Sequence, residues 1–440
     1  MSAGGNGRAT APGGILIRRG RVIDPASGVD GEMDVKIENG KVAQTGANLD
    51  PGGCSVVEAK GLVVAPGFVD IHVHLREPGQ EGEETIATGT RAAALGGVTA
   101  LVAMPNTVPP LDTPAMIAYV LSRAAQDGVV RVYPAGCISH ERKGEVMADL
   151  AGLREAGAVV FTDDGNSVMN ALLVRRAMTN ARLLATPYAE HAEDEHLVDA
   201  GVMHEGRVSL KLGLAGRSTL AEDVIVARDL ILAEAAGAHL HVMHVTSKRS
   251  LEMIREAKAR KVTVTCEATP HHLVLTDEAV GEFDTAAKVY PPLRSEEHRR
   301  ALVAGVKDGT VDAIVSDHAP HGPLEKEVEF AQAATGMVGL ETMLPLVLEV
   351  LVRPGEIGLP DLVRLLSTSP ARILRLPGGT LAPGSPADLS IFDPEAAWTV
   401  DPRTMASKSR NTPFAGRKVR GRVVHTIVAG RPVVRDGALV

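Results

Sequence analysis

The sequence predicts an α/β protein, a (β/α)8 TIM-type barrel over residues 67–376 carrying a small β domain built from both ends of the chain, 15–66 and 377–440. Three observations predict it. Short β-branched runs alternate with helix-compatible segments through the middle of the chain. The flanks hold strand-like runs broken by Gly, Asn and Asp. The first central strand ends in HVHLREPG, where an open doubly wound sheet needs a Gly-rich phosphate turn.

The opening MSAGGNGRATAPGG is small and polar, lacks the apolar centre of a signal peptide and reads as a disordered tail over 1–14. ILIRRGRVID, DVKIENGKVAQTG and CSVVEAKGLVVAPG follow as strands. GFVDIHVH, VTALVAMPN, VVRVYPAG, AVVFTDDG, RLLATPYAEH, HLHVMHVTS, KVTVTCEATP and VDAIVSDH are then the barrel strands. TIATGTRAAALGG, TPAMIAYVLSRAAQDG and LAEDVIVARDLILAEAAG are among the helices between them. TLAPGSPADLSIFD and RVVHTIVAGRPVVRDG return to hairpins.

Composition narrows the function. The chain has 440 residues, 45% hydrophobic and 23% charged, enough for a large core. A net charge of −8 with no basic run argues against a nucleic-acid partner. Cys54, Cys137 and Cys266 form no CxxC pair, which suits a reducing cytoplasm. No apolar run reaches about 18 residues, so no membrane span is expected.

Chemistry gathers at strand ends. Residues i and i+2 of a strand share a face, so Phe68, Asp70, His72 and His74 are expected toward the barrel axis and Val69, Ile71 and Val73 under the helices. His-x-His then aims two imidazoles at one point on the face where barrel enzymes keep their active sites. Other strands end in Asp163 and Asp164, in His191, in His244 and in Asp317. Neutral imidazoles and carboxylates suit zinc, and a bridging carboxylate suits a pair of ions. With Phe161 under the helices, parity turns Asp164 inward and leaves Asp163 to the turn. His239 and His241 read as structural, and His318 points away from the site. His140, His196, His204, His298 and His425 read as surface residues; His271 and His272 read either as supporting the site or as structural.

These residues resemble the amidohydrolase superfamily and, within it, the bacterial class I dihydroorotases. The resemblance runs through GFVDIHVHLREPG, AMPNT, FTDDG, EATPHHL, PPLR, SDHAPH and GLET. It implies that His72, His74 and Asp317 hold one zinc, that His191 and His244 hold a second, and that Asp164 and a hydroxide bridge them. It implies further that Arg76, Asn106 and His321 bind the substrate carboxylate and that the backbone at Thr335 and Gly336 lines the ring. Asp317 would act as general base and then acid. Many relatives carry a carbamylated lysine where this chain has Asp164; Lys211, in SLKLGL, is expected to face solvent. Relatives also commonly place an asparagine before PPLR, against the substrate ring, where this chain has Tyr290.

The implied activity is interconversion of N-carbamoyl-L-aspartate and L-dihydroorotate in pyrimidine synthesis. A hydantoinase or allantoinase, and a non-catalytic scaffold for aspartate transcarbamoylase, are the competing readings. A homo-oligomer is expected, and the resemblance makes aspartate transcarbamoylase a candidate partner. A mobile lid is expected within 320–336.

Overall fold

The structure, a computed structural model, describes residues 14–440, so the tail expected over 1–14 lies outside the described residues apart from Gly14. The first barrel strand, Phe68–Val73, is buried throughout. It pairs in parallel with Val98–Ala103, which pairs with Arg131–Pro134. Phe161 carries the pairing onward through bridges to Gly136 and Tyr188. Tyr188–Glu190, Leu240–Val242, Val264–Ala268 and Ala313–Ile314 continue it. The cylinder closes where Val73 bridges His318 and the His74 N–H donates to the His318 carbonyl at 2.9 Å.

Helices Ile86–Leu95, Pro114–Asp127, Ala171–Leu183, Leu220–Ala236, Lys248–Ala259 and Glu296–Lys307 surround the strands. Thr85, Thr113, Asn170 and Ser247 cap four of them by accepting first-turn N–H groups that would otherwise lack a partner. The inward helix faces pack with Phe68, Leu101, Phe161 and Tyr188. A separate apolar cluster of Val69, Ile71, Val102, Val160, Ala189 and Ala313 gathers side chains from strands all round the barrel and fills its lumen.

That cluster corrects the expected parity of the first strand. Val69 and Ile71 pack in the lumen, while Phe68 packs in the outer layer. A register shift against Val98–Ala103, between Asp70 and Val73, then breaks the two-residue period. The Asp70 carboxylate accepts from the backbone N–H of His72 at 3.2 Å and of Ser316 at 3.1 Å, supporting the break from the side. His72 and His74 therefore reach the lumen mouth by a bulge and not by simple alternation.

The ends of the chain meet in one sheet. Ile15–Asp24 pairs antiparallel with Val29–Glu38 and parallel with Ser55–Glu58 and Val63–Pro66. Val63–Pro66 pairs with Leu389–Thr399, which pairs with Lys418–Val428. Ile17, Val22, Val35, Val64, Ile391 and Ile427 form its core. At the junction a Cβ on Gly67 would fall 2.1 Å from Thr99 Oγ1, so only glycine fits where the sheet enters the barrel. The fold expected from the sequence, a barrel with a terminal β domain, is the one observed. Among the described residues no helix is long and apolar enough to cross a membrane.

Candidate metal centre and active site

The barrel mouth collects all six expected ligands. His74 Nε2 lies 3.2 Å from Asp317 Oδ1 and 3.4 Å from Asp164 Oδ2. His72 Nε2 lies 3.5 Å from both Asp317 Oδ1 and Asp164 Oδ1. Ligand atoms placed tetrahedrally at zinc's usual distances stand about 3.3 Å apart. These four donors are already at that spacing. The other pair is looser: His191 Nδ1 lies 3.0 Å from His244 Nε2 and 3.8 Å from Asp164 Oδ1, and His244 Nε2 lies 4.0 Å from the same oxygen. Asp164 alone approaches all four imidazoles, which is where a bridging carboxylate belongs.

Protonation supports a cation here. Burial disfavours a charged His72, yet Asp317, Asp164 and Glu267 outweigh it and hold its pKa well above the usual histidine value. Burial would raise Asp164 and Asp317, but the surrounding histidines draw both well below the usual carboxylate range. His244 is pushed down to about 3 by burial and by His191 and His72, leaving the neutral ring that a metal needs. His72 Nε2, on the side of Asp164 and Asp317, is buried without a hydrogen-bond partner. Spacing, donor type and that unpartnered nitrogen all fit a metal cofactor held by His and Asp side chains.

Three of the imidazoles are held from behind. His72 Nδ1 lies 2.6 Å from Glu267 Oε1, whose other oxygen is 2.9 Å from His241 Nε2. His74 Nδ1 lies 2.8 Å from Asn106 Oδ1. His191 Nε2 lies 3.1 Å from Glu193 Oε2. Since the oxygens accept, each ring carries a proton on that side, and its mouth-side nitrogen is left to a cation, a proton or a metal ion. Sequence reasoning passed over Glu267 and Glu193. A charged residue inside the buried run KVTVTCEATP, and a second carboxylate two places after a ligand in AEHAED, were the available signals.

The backbone is strained at the same place. Arg76, His244 and Asp317 adopt φ of 61°, 29° and 44°, a region that side chains other than glycine's seldom occupy. Arg76 is buried; its Nε donates to the Pro320 carbonyl at 3.1 Å, and its Nη2 lies 3.0 Å from His321 Nε2. Glu83 Oε2 sits 3.3 Å from Arg76 Nε and 3.1 Å from His321 Nδ1. Thr335 O is 3.0 Å from His321 Nε2, and the Gly336 N–H donates to Lys288 O at 2.9 Å. Tyr290 donates its hydroxyl to Gly201 O at 3.2 Å, and its ring lies under the Arg217 guanidinium at 3.6 Å.

The remaining expectations sort themselves. Asp163 holds the turn, accepting from the Ile138 N–H at 2.8 Å and the Ser139 N–H at 3.1 Å. His318 turns away to Glu84 Oε2 at 3.2 Å, and Lys211 is exposed. His204 and His425 are buried and not at the surface, because the loop carrying His204 folds back toward His298 and His425 lies in the terminal sheet. His271 and His272 are buried beside the site.

A family model described as dihydro-orotase-like matches residues 61–250, and one described as amidohydrolase family matches residues 301–434. A dihydroorotase from Syntrophus aciditrophicus (strain SB) is 49% identical over 424 residues, 96% of this chain and 99% of that protein. One from Anaeromyxobacter sp. (strain K) is 51% identical over 426 residues, 96% of this chain and 98% of that protein. The chain belongs to the dihydroorotase family. It is thus a cyclic-amide hydrolase of the amidohydrolase fold. Similar solved structures include the L-hydantoinase (dihydropyrimidinase) from Arthrobacter aurescens, with TM-score 0.88, 27% identity and 97% of both chains covered. The dihydropyrimidinase from Brevibacillus agri NCHU1002 superposes with TM-score 0.85 at 26% identity, covering 97% of this chain and 96% of that one. Dihydroorotases and hydantoinases thus share a frame, while identity near one half over the full length lies with the dihydroorotases.

Proposed function

We propose that the chain opens and closes the cyclic amide of L-dihydroorotate, giving and consuming N-carbamoyl-L-aspartate, on two zinc ions. His72, His74 and Asp317 would hold one ion and His191 and His244 the other, and Asp164 would serve both. Such a pair supplies an acidified water and a Lewis acid for the ring carbonyl. The chain's own residues do the rest. Asp317, within reach of both His72 and His74, takes the proton of the attacking water. As the carbonyl carbon gains the oxygen and its bond to nitrogen breaks, Asp317 returns that proton to the leaving nitrogen.

Arg76 and His321 meet the substrate carboxylate, Arg76 with the guanidinium edge that Pro320 and Glu83 leave open. Asn106 spends its carbonyl on His74 and offers its amide N–H groups to the same carboxylate. Thr335 and Gly336 line the ring through the backbone, beside Tyr290. In this reading 67–376 is the catalytic unit, 15–66 with 377–440 is its β domain, and the protein works in the cytoplasm as a homo-oligomer able to join aspartate transcarbamoylase. Sedimentation of the chain alone and with that enzyme tests the assembly.

One observation carries the proposal: Asp317 Oδ1 lies 3.2 Å from His74 Nε2 and 3.5 Å from His72 Nε2, among donors at metal-ligand spacing. A metal count joined to turnover of dihydroorotate, hydantoin and allantoin tests it. Two zincs per chain and dihydroorotate opening are expected. Asp317→Asn should retain metal and lose about 10²–10⁴-fold in kcat, because an amide coordinates but shuttles no proton. A fully metallated wild type that leaves dihydroorotate intact overturns the assignment.

A further inference from the structure

Residue 290 stands where the resemblance puts a group against the substrate ring, yet its polar atom is committed elsewhere. The Tyr290 hydroxyl donates to Gly201 O, and Arg217 Nη1 donates to the same carbonyl at 3.4 Å. The guanidinium lies flat on the Tyr290 ring, 3.6 Å from its centroid, a stacking that fixes its plane. Fixed in that plane, Arg217 gives Nε and Nη2 to the two oxygens of Glu193 at 2.8 and 2.9 Å, a two-point fork. Glu193 Oε2 in turn meets His191 Nε2 at 3.1 Å. The backbone is pinned too: the Glu193 N–H donates to Ser167 Oγ at 2.9 Å, and Ser167 Oγ bonds the His191 carbonyl. Glu193 and Arg217 are both buried, so each leaves an unmatched charge if the other is lost.

We propose that Tyr290, Arg217 and Glu193 form a brace that holds His191 with its proton on Nε2 and its Nδ1 lone pair aimed at Asp164. They are positioning residues for the second ion, and the tyrosine acts through Arg217 and not on the substrate ring. This inference rests on the two-ion reading above. Histidine ligands owe their ring orientation and basicity to such partners, whose loss lowers metal affinity about 10–100-fold. His244 has no comparable support on its outer nitrogen, which stays unpartnered. The second position therefore depends on the brace more than the first depends on any one residue.

The test titrates zinc into the metal-stripped full-length chain as wild type, Glu193→Gln, Arg217→Lys, Tyr290→Leu and Tyr290→Phe. The His191 tautomer is followed in the metal-free chains by NMR of ¹⁵N-histidine. Glu193→Gln is expected to weaken the weaker zinc step about 10–100-fold and leave the tighter step unchanged. Tyr290→Leu should weaken the same step by a smaller factor, and Tyr290→Phe, which keeps the stack, should restore it. Arg217→Lys should behave like Glu193→Gln, because a point charge does not replace the fork. Turnover lost by Tyr290→Leu should return with excess zinc at unchanged KM, whereas a direct ring contact raises KM irreversibly.

Wild-type affinities for both steps in Glu193→Gln and Tyr290→Leu overturn the brace, as does a KM rise that zinc leaves in place. Glu193→Asp, compared by melting, covers the case where Glu193→Gln does not fold: a folded aspartate variant with both zinc steps intact overturns the proposal equally. A wild type that takes up a single ion sinks the two-ion reading instead. The brace is then decided by the tautomer, which must shift away from Nε2–H in Glu193→Gln.

Discussion

His72 and His191 face the same carboxylate, Asp164, but they are supported by different parts of the molecule. His72 leans on Glu267 and, through it, on His241, all three on barrel strands. His191 leans on Glu193, Arg217 and Tyr290, which stand on segments outside the barrel strands. Distances follow that difference: 3.2–3.5 Å among the donors on the His72 side, and 3.8–4.0 Å from Asp164 to His191 and His244. Strands joined into a closed cylinder share their hydrogen bonds with two neighbours and move little, whereas loops rest on a few side-chain contacts and open at lower free energy. His72 is therefore backed by barrel strands and His191 by the segments between them.

Replacing one histidine at a time gives the widest contrast. His72→Ala should lose bound metal below one ion per chain and cost turnover on the order of a thousandfold, since several kcal/mol of charge stabilisation go with it. His191→Ala should keep one ion. Equal metal losses in the two variants, measured by elemental analysis, would erase the distinction.

The lumen side is also expected to carry more folding stability. Glu267 is 1% exposed, and Glu267→Ala leaves His72 and His241 without their shared acceptor. A loss of about 3–5 kcal/mol in denaturant unfolding of the metal-free protein is expected, the range for breaking a buried pair by deleting one partner. A loss under about 1 kcal/mol would show that Glu267 serves the metal alone.

A gentler probe is pH. Burial pushes Glu341 up to about 7, and its carboxylate accepts from the Ala406 N–H at 2.9 Å. A folded-state pKa above the unfolded one means that the folded chain holds its proton longer. That stabilisation is full below the unfolded value and is lost as pH rises through 7. Glu341→Gln should flatten this decline, by no more than about 3 kcal/mol, in melts between pH 4.5 and 8. An unchanged pH profile counts against the buried, protonated carboxyl.

The smallest effect concerns the segment expected as a lid. Lys326 Nζ donates to the carbonyls of Ala334 at 2.7 Å and Gly336 at 3.1 Å, and Lys288 Nζ to those of Ala331 at 2.9 Å and Ala333 at 2.8 Å. Lys288 thus holds 320–336 from outside, and Lys326, itself within the segment, ties its two halves together. Lys326→Met should speed amide hydrogen exchange there about tenfold, matching the loss of about 1.5 kcal/mol for a charged hydrogen bond. Exchange confined to barrel-like rates in both proteins would remove the lid from the account.

Much of the barrel was legible because its period is local: β-branched runs and helix-compatible stretches alternate along the chain, and chain order alone places strand ends at one mouth. The residue types at those ends, His72, His74, Asp164, His191, His244 and Asp317, name metal chemistry before any coordinate is known. Parity was a poorer guide. It held at Phe161 and Asp164, beside the bridges from Phe161 to Gly136 and Tyr188, and failed at Val69 and Ile71, where Asp70 bonds Ser316, 246 residues away, and the register slips.

What the sequence by itself determined is the architecture and the kind of donor at each strand end, since both follow from side-chain chemistry and short-range order. What only the tertiary structure decided is who holds whom: Glu267 behind His72, Glu193 behind His191, Glu83 beside Arg76, and Arg217 upon Tyr290. Hydrogen bonds and stacked rings form between segments far apart in the chain. Their energies depend on distances of a few tenths of an ångström, which no local pattern of residues records.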